Sequence, residues 1–283
     1  KSIHDMDPQN TLVDLNRAGV ALLEIVTEPD FRSSEEAYAY LMEVRKLVRY
    51  LEICDGNMEE GSLRCDANVS IRPVGQEKYG DRVEVKNMNS MRNVARAIDY
   101  EIKRQISELE EGRSISMDTR SFDAGAGTTF VMRSKEMAND YRYFPEPDLP
   151  PVIVNEEWIS SIKTQMPELP NELYRKFTED YNLSDYDAGV LTEGKSVALY
   201  FNDLSSKTKN YKAASNWVTG EVKSYLNERV LHMSEFPLKT DQIAELISLV
   251  DNGKVSHSAT SQHIFPVYCE NPKKSALSIA QEL

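Results

Sequence analysis

Leu63-Arg64-Cys65-Asp66-Ala67-Asn68-Val69-Ser70-Ile71-Arg72 alternates without a break between apolar or small side chains and polar ones. Successive side chains on a strand point to opposite faces. This period of two therefore sends Leu63, Cys65, Ala67, Val69 and Ile71 to a core and Arg64, Asp66, Asn68, Ser70 and Arg72 to the other side. Val83-Glu84-Val85-Lys86 repeats the pattern and predicts an antiparallel partner. The polar face carries Arg, Asp, Asn and Arg rather than the Thr, Lys and Glu of an ordinary wet sheet. It is entered through an acidic loop bracketed by glycines, Gly56-Asn57-Met58-Glu59-Glu60-Gly61-Ser62. Such a face is either a solvated surface or the floor of an open cleft.

Two amphipathic helices are predicted to cover the apolar side. The first starts at a Ser33/Glu36 capping box and carries Ala37, Tyr40, Leu41, Val44, Leu47, Val48 and Leu51 at helical spacing. The second is capped by Ser90, carries Val94, Ile98, Ile102, Ile106 and Leu109, and stops at Gly112. Helices on one face of an antiparallel sheet make an α+β domain. Pro145, Pro147, Pro150 and Pro151 then fall close together, which predicts a domain exit. Residues 1–155 are expected to form the α+β domain and 156–283 an all-helical domain. Helices are predicted near 171–181, 186–203, 211–229, 240–252 and 256–265.

The chain has 283 residues, a formal charge of -13 and three scattered cysteines without a C-x-x-C pair. That composition speaks against a disulfide scaffold or structural zinc site and for a reducing cytosol. No apolar run approaches bilayer-spanning length, so a soluble, cytoplasmic protein is expected. The opening Lys1-Ser2-Ile3-His4-Asp5 and the closing Gln281-Glu282-Leu283 both read as sequence from within a longer protein. Net acidity disfavours casual binding to nucleic acid. Residues 195–229 nevertheless hold a local balance of +3, from Lys195, Lys207, Lys209, Lys212, Lys223 and Arg229 against Asp203, Glu221 and Glu228. This is either a phosphate footprint or a solvated helical face.

Leu22-Leu23-Glu24-Ile25-Val26-Thr27-Glu28-Pro29-Asp30 sets one carboxylate inside an apolar run. If the run is buried, Glu24 needs a cation or strong donors; at a strand edge it simply reaches water. Gly189-Val190-Leu191-Thr192-Glu193-Gly194-Lys195-Ser196 fits the phosphate-loop spelling G-x-x-x-x-G-K-S. The residues before it are polar and turn-like rather than a buried strand, so it is read as a break between helices. The four histidines show no metal spacing.

Several ordered motifs together resemble the B subunits of bacterial aspartyl/glutamyl-tRNA amidotransferases. They are Leu12 to Val20, Leu22 to Asp30, Gly56 to Asn68, Val83 to Ser90, Met132 to Glu136 and Asp140 to Leu149, with looser matches at Leu183–Ala188 and Ala213–Trp217. The resemblance implies a cradle-shaped α+β domain related to glutamine synthetase, of which the second part is present, followed by a helical domain. It implies ATP- and magnesium-dependent phosphorylation of the side-chain carboxylate of Glu or Asp mischarged on tRNA. Ammonia from an amidase partner, the A subunit, then displaces the phosphate, in a heterotrimer completed by a small C subunit. Glu24 matches a position that holds magnesium in that family. On chemical grounds Glu60 is a further metal contact. Arg64, Lys86 and Arg133 stabilise phosphate charge, and Asp66 and Asn87 orient those cations or the ammonia. Lys207, Lys209 and Lys212 are the expected tRNA contacts. The family's earlier acidic and histidine ligands precede Lys1, so the chain alone is expected to be inactive in amidation. The competing expectation is a non-catalytic tRNA-docking scaffold.

Overall fold

The computed structural model describes residues 2–3, 12–16, 19–134 and 150–282. Two short strands, β1 (Ser2–Ile3) and β2 (Leu12–Val13), pair antiparallel. Residues 20–33 follow without helix or strand, with a tight turn where the Asp30 N–H donates to Glu28 O at 2.8 Å. Helix α1 (Ser34–Tyr50) begins where the Ser33 hydroxyl accepts the Glu36 N–H at 3.2 Å. The return half of the predicted capping box differs slightly, since the Glu36 carboxylate takes the N–H of Arg32 at 2.6 Å.

The predicted strand and its partner are β3 (Ala67–Val69) and β4 (Val83–Lys86), antiparallel with Ala67 opposite Val85. The strand is shorter than the ten-residue alternation suggested. On its near side the N–H groups of Ser62 and Leu63 are engaged by the Asn57 carbonyl, at 2.8 and 3.2 Å. On its far side the chain turns at Pro73, which has no N–H to give a ladder. Helix α2 (Met91–Glu110) starts at its Ser90 cap, with the Asn93 N–H donating to the Ser90 hydroxyl at 3.2 Å. It ends before Gly112, whose φ of +76° lets Arg113 N–H close back on Glu108 O at 2.9 Å.

Strands β5 (Asp118–Asp123) and β6 (Thr128–Ser134) complete a sheet of order β3-β4-β5-β6. This sheet is mixed, which corrects the antiparallel expectation: β4 and β5 run parallel, with Glu84 opposite Thr119. The cause is connectivity, because α2 intervenes between them and a helical crossover returns the chain in the same direction. Between β5 and β6 the register shifts at Thr119/Arg120. Helices α1 and α2 share the apolar side, where Leu41, Val94 and Ala97 pack with Val69, Val83, Val85 and Phe122.

The remaining chain is helical. Helix α3 (Glu156–Gln165) lies outside the helices foreseen and buries none of its residues. Then come α4 (Pro170–Arg175), α5 (Asp185–Leu191), α6 (Lys195–Lys207), α7 (Tyr211–Trp217), α8 (Lys223–Arg229), α9 (Thr240–Asp251), α10 (His257–Ala259), α11 (Phe265–Glu270) and α12 (Ala276–Glu282). Single π turns at Lys176–Asp180, Val218–Val222 and Thr260–Ile264 carry the predicted helices through. The helix expected over 186–203 is instead two, broken between Leu191 and Lys195. A second core gathers Phe177, Phe201, Trp217, Ile243, Leu246 and Phe265, and takes in Tyr50 from the end of α1. Among the described residues, no helix is long and apolar enough to cross a membrane.

Candidate functional site

The valines of β4 point to the helices and are fully buried. Its intervening residues Glu84 and Lys86 therefore lie on the opposite face, beside Asp66 from the approach to β3 and Thr119 and Ser121 from β5. The Lys86 ammonium donates to the Asp66 carboxylate and lies 3.2 Å from Glu84 Oε1. Thr119 Oγ1 donates to Glu84 Oε2 at 2.9 Å. Partial burial pulls the Lys86 pKa down, but hydrogen bonds and charge from Asp66 and Glu84 outweigh it, so it stands above the ordinary lysine value. Lys86 is therefore a cation at neutral pH, placed by two carboxylates.

At the end of β4, Asn87 holds a left-handed φ of 65°. Asparagine tolerates that region better than most side-chain-bearing residues. The turn aims its amide across the sheet, where Nδ2 donates to Ser121 Oγ at 2.8 Å and approaches Met132 Sδ at 3.9 Å. Arg133 sits on β6 opposite Thr119; its side chain lies outside the described part of the structure. The sheet thus brings Asp66 against Lys86, with Asn87 next along the chain. It adds Glu84, Thr119 and Ser121, which the sequence pattern alone does not single out as site residues. Glu84 is the one with a usable signal: its place between Val83 and Val85 puts it on the same face as Lys86 by alternation.

The other expected residues are placed less centrally. Glu60 is exposed in the glycine-bracketed loop, whose shape is set by Asn57 Oδ1 accepting the N–H groups of Glu59 and Glu60 at 3.0 and 3.4 Å. Arg64 is exposed on the approach to β3. Glu24 is exposed too, and so are its apolar neighbours: Leu22 is 88% and Val26 82% accessible. The buried-acid alternative is therefore corrected. Among the described residues no strand pairs with this run and none covers the carboxylate. Residues 135–136, the Asp140–Leu149 motif, and with it Pro145 and Pro147 of the expected domain exit, lie outside the described residues.

Among the described residues no three ligand-type side chains come together as a metal site. The hard oxygen of Glu24 suits magnesium, which commonly binds one or two protein carboxylates and fills its shell with water and phosphate. Glu24 can supply one such ligand.

In the helical part, Lys207 is held by Asp203 at 3.1 Å and Asp241 at 3.0 Å, and Lys212 by Asp187 at 2.6 Å. Lys209 is exposed, with no ion pair among the described residues. The local charge balance of the sequence is thus partly neutralised by acids from neighbouring helices. The phosphate-loop spelling is decided by its setting: a helix, α5, precedes it, and Lys195 pairs with Glu52 at 2.7 Å.

The sequence matches the GatB/GatE catalytic domain over residues 1–160 and the GatB domain over residues 199–283. It is 52% identical over 262 residues to the B subunit of the aspartyl/glutamyl-tRNA(Asn/Gln) amidotransferase of Pelodictyon phaeoclathratiforme, covering 93% of this chain and 55% of that protein. The protein of the same name from Chlorobium chlorochromatii is 49% identical over 282 residues, covering 100% of this chain and 59% of its own length. That of Caldicellulosiruptor bescii is 48% identical over 265 residues, with 93% and 55% covered. The chain therefore spans a little over half the length of these relatives. With the catalytic-domain match running over more than half of it and the identity near one in two, the chain belongs to the family of aspartyl/glutamyl-tRNA(Asn/Gln) amidotransferase B subunits.

Proposed function

We propose that this chain supplies the phosphoryl-transfer and amidation face of a tRNA-dependent amidotransferase. The observation that carries the reading is the partly buried Asp66–Lys86–Glu84 cluster on the polar face of the sheet, inside the region matching the GatB/GatE catalytic domain. The substrate is a Glu or Asp side chain esterified to tRNA. Its carboxylate oxygen takes the γ-phosphoryl group of ATP, releasing ADP and leaving an acyl phosphate. Ammonia then attacks the carbonyl carbon and expels inorganic phosphate, giving the amide.

Lys86 holds a positive charge where negative charge builds up on the phosphoryl oxygens, and it is already oriented by Asp66 and Glu84. Arg64 and Arg133 add cations from the approach to β3 and from β6. Asp66, an acceptor beside Lys86, is suited to receive a proton as ammonium becomes ammonia or the amine loses its extra proton. Asn87 orients a carbonyl or amine through its amide. Glu24, with Glu60 as a further contact, would hold magnesium, which when bound neutralises phosphate charge. The domain is the second part of a cradle related to glutamine synthetase, divided from the helical domain near residue 155.

The partners are the amidase that releases ammonia (the A subunit), the small C subunit and the mischarged tRNA. Lys209, with Lys207 and Lys212, contacts the tRNA backbone. The setting is cytoplasmic, and this chain by itself does not catalyse amidation.

The test uses a full-length B subunit with this sequence, assembled with its partners and supplied with free ammonia. Glu24→Gln and Lys86→Met are compared with wild type for ATP-dependent conversion of Glu-tRNA to Gln-tRNA. Both are expected to lose at least about 100-fold in kcat with tRNA binding retained, the scale of losing a charge-stabilising group. Near-normal conversion by Lys86→Met would refute the assignment of the sheet face.

A further inference from the structure

Glu101 lies on α2, is fully buried, and is used by none of the chemistry above. A buried carboxylate persists only with close partners, because its desolvation is otherwise prohibitive. Here it has several. Arg104 Nε donates to both carboxylate oxygens at 3.1 Å and its Nη2 adds a further bond. Gln105 Nε2 donates at 3.0 Å and Thr129 Oγ1 at 3.1 Å, and Arg120 Nε stands 3.7 Å away. Two of these partners also grip strands. Gln105 Nε2 reaches the Val69 carbonyl of β3 at 3.1 Å. Arg120 of β5 donates to the Thr129 hydroxyl of β6 at 2.8 Å and to the Thr129 carbonyl at 2.9 Å.

For stability alone, this is an expensive solution. Well-packed apolar residues in place of a buried ionic network are often neutral or stabilising. What the network has that apolar packing lacks is directional hold, and it holds at a particular place. The register shift between β5 and β6 lies at Thr119/Arg120. Arg120 points to the helices and Thr119 to the polar face, where its hydroxyl meets Glu84 and Glu84 meets Lys86. A shift of β5 by one residue would exchange the two faces and bring Arg120 against Glu84.

We infer that Glu101 is a positioning residue: through Arg120 and Thr129 it pins the irregularity in the β5–β6 pairing and thereby sets Thr119, Glu84 and Lys86 on the opposite face. The inference rests on the proposed role of that face, but its first readout does not. Lysine labelled with carbon-13 at Cε is incorporated into the full-length B subunit, and the Lys86 signal is assigned by its loss in Lys86→Arg. In Glu101→Gln the Lys86 titration is expected to move down toward that of an ordinary lysine, though Glu101 never touches it. Thr119→Val, which cuts only the front-side link, is expected to reproduce the movement.

In the assembled enzyme, Glu101→Gln is expected to lose about 10- to 100-fold in kcat, the scale of a displaced reactive group, with KM for the charged tRNA unchanged. A lowered melting temperature with an unmoved Lys86 signal overturns the inference and makes Glu101 a fold residue only. A moved signal with normal kcat upholds the positioning and refutes the reactive face instead. Should Glu101→Gln not fold, Arg120→Lys keeps the charge and loses the fork on Thr129. An unmoved Lys86 signal in that variant is equally fatal.

Discussion

At the scale of single residues, the site is built from side chains whose neighbours leave them little choice of place. Asn87 is the plainest case, since it combines a backbone conformation costing about 1–2 kcal/mol for most L-residues with an amide bonded across to Ser121 at 2.8 Å. The two contributions can be separated. Asn87→Ala is expected to lose about 1–2 kcal/mol in denaturant titration, mainly through the φ of 65°. Asn87→Gly should lose less than half of that, because glycine accepts a positive φ. Both remove the amide, so both should depress kcat alike. Equal stability of the two variants would show that the turn is not strained by ordinary side chains. What the sequence shows at this scale follows from alternation. Asp66 is legible because Cys65 and Ala67 flank it, and Lys86 because it continues the alternation of Val83 and Val85. Glu24 is ambiguous for the same reason in reverse: an acid in an apolar run is buried or exposed according to what covers the run, and no local signal carries that.

At the scale of elements, caps and apolar stripes are legible and the last two strands are not. Ser33, Ser90 and Gly112 mark the ends of α1 and α2 through interactions within a few residues. Helix α3 has a local signal of the same kind, since Asn155 precedes two glutamates and its side chain accepts the Trp158 N–H at 2.9 Å. Strand β5 has none, because its inward face carries Arg120, a charge no alternation rule sends to a core. That charge is accommodated by Thr129 of β6, which accepts its hydrogen bonds, and by Glu101 on α2, 3.7 Å away. A different strain appears where α8 ends. Val230 is a β-branched residue at φ 54°, with Leu231 N–H closing on Leu226 O at 2.9 Å. That position favours glycine, and Val230 is 90% exposed, so its side chain contributes little packing. Val230→Gly is therefore expected to stabilise the protein by about 1 kcal/mol despite glycine's entropy in the unfolded chain. A fall in melting temperature would show that the valine makes contacts outweighing its backbone.

At the scale of the whole molecule, acid response follows from ion pairs within the helical part, and cooperativity from specific contacts between the two cores. Within the helical part, the Asp187 carboxyl is held below the usual carboxylate range by hydrogen bonds from Lys212 and Ser184. Asp203 is held down by Thr240 and then by Lys207. A depressed folded pKa contributes stability that is complete above the ordinary carboxylate value, about 3.9, and is lost as pH falls through the folded value. Melting temperature should thus hold from neutrality to about pH 4 and drop below it, and Asp187→Asn should flatten part of that drop. Between the parts, Tyr50 ends α1 yet is buried in the helical core, with its hydroxyl donating to the Glu168 carbonyl at 3.0 Å. Lys195 and Glu52 tie the same junction at 2.7 Å. The ion pair is exposed and worth little; the tyrosine is not. Truncating a buried aromatic to alanine costs about 3–5 kcal/mol, whereas Tyr50→Phe removes one hydrogen bond worth about 1 kcal/mol. If Tyr50 is what makes the cores melt together, calorimetry should give one transition for wild type and Tyr50→Phe. Tyr50→Ala should give two, with the helical part melting first because it has lost a ring from its interior. Two transitions already present in wild type would mean that the cores are independent, and that the tyrosine only fills space.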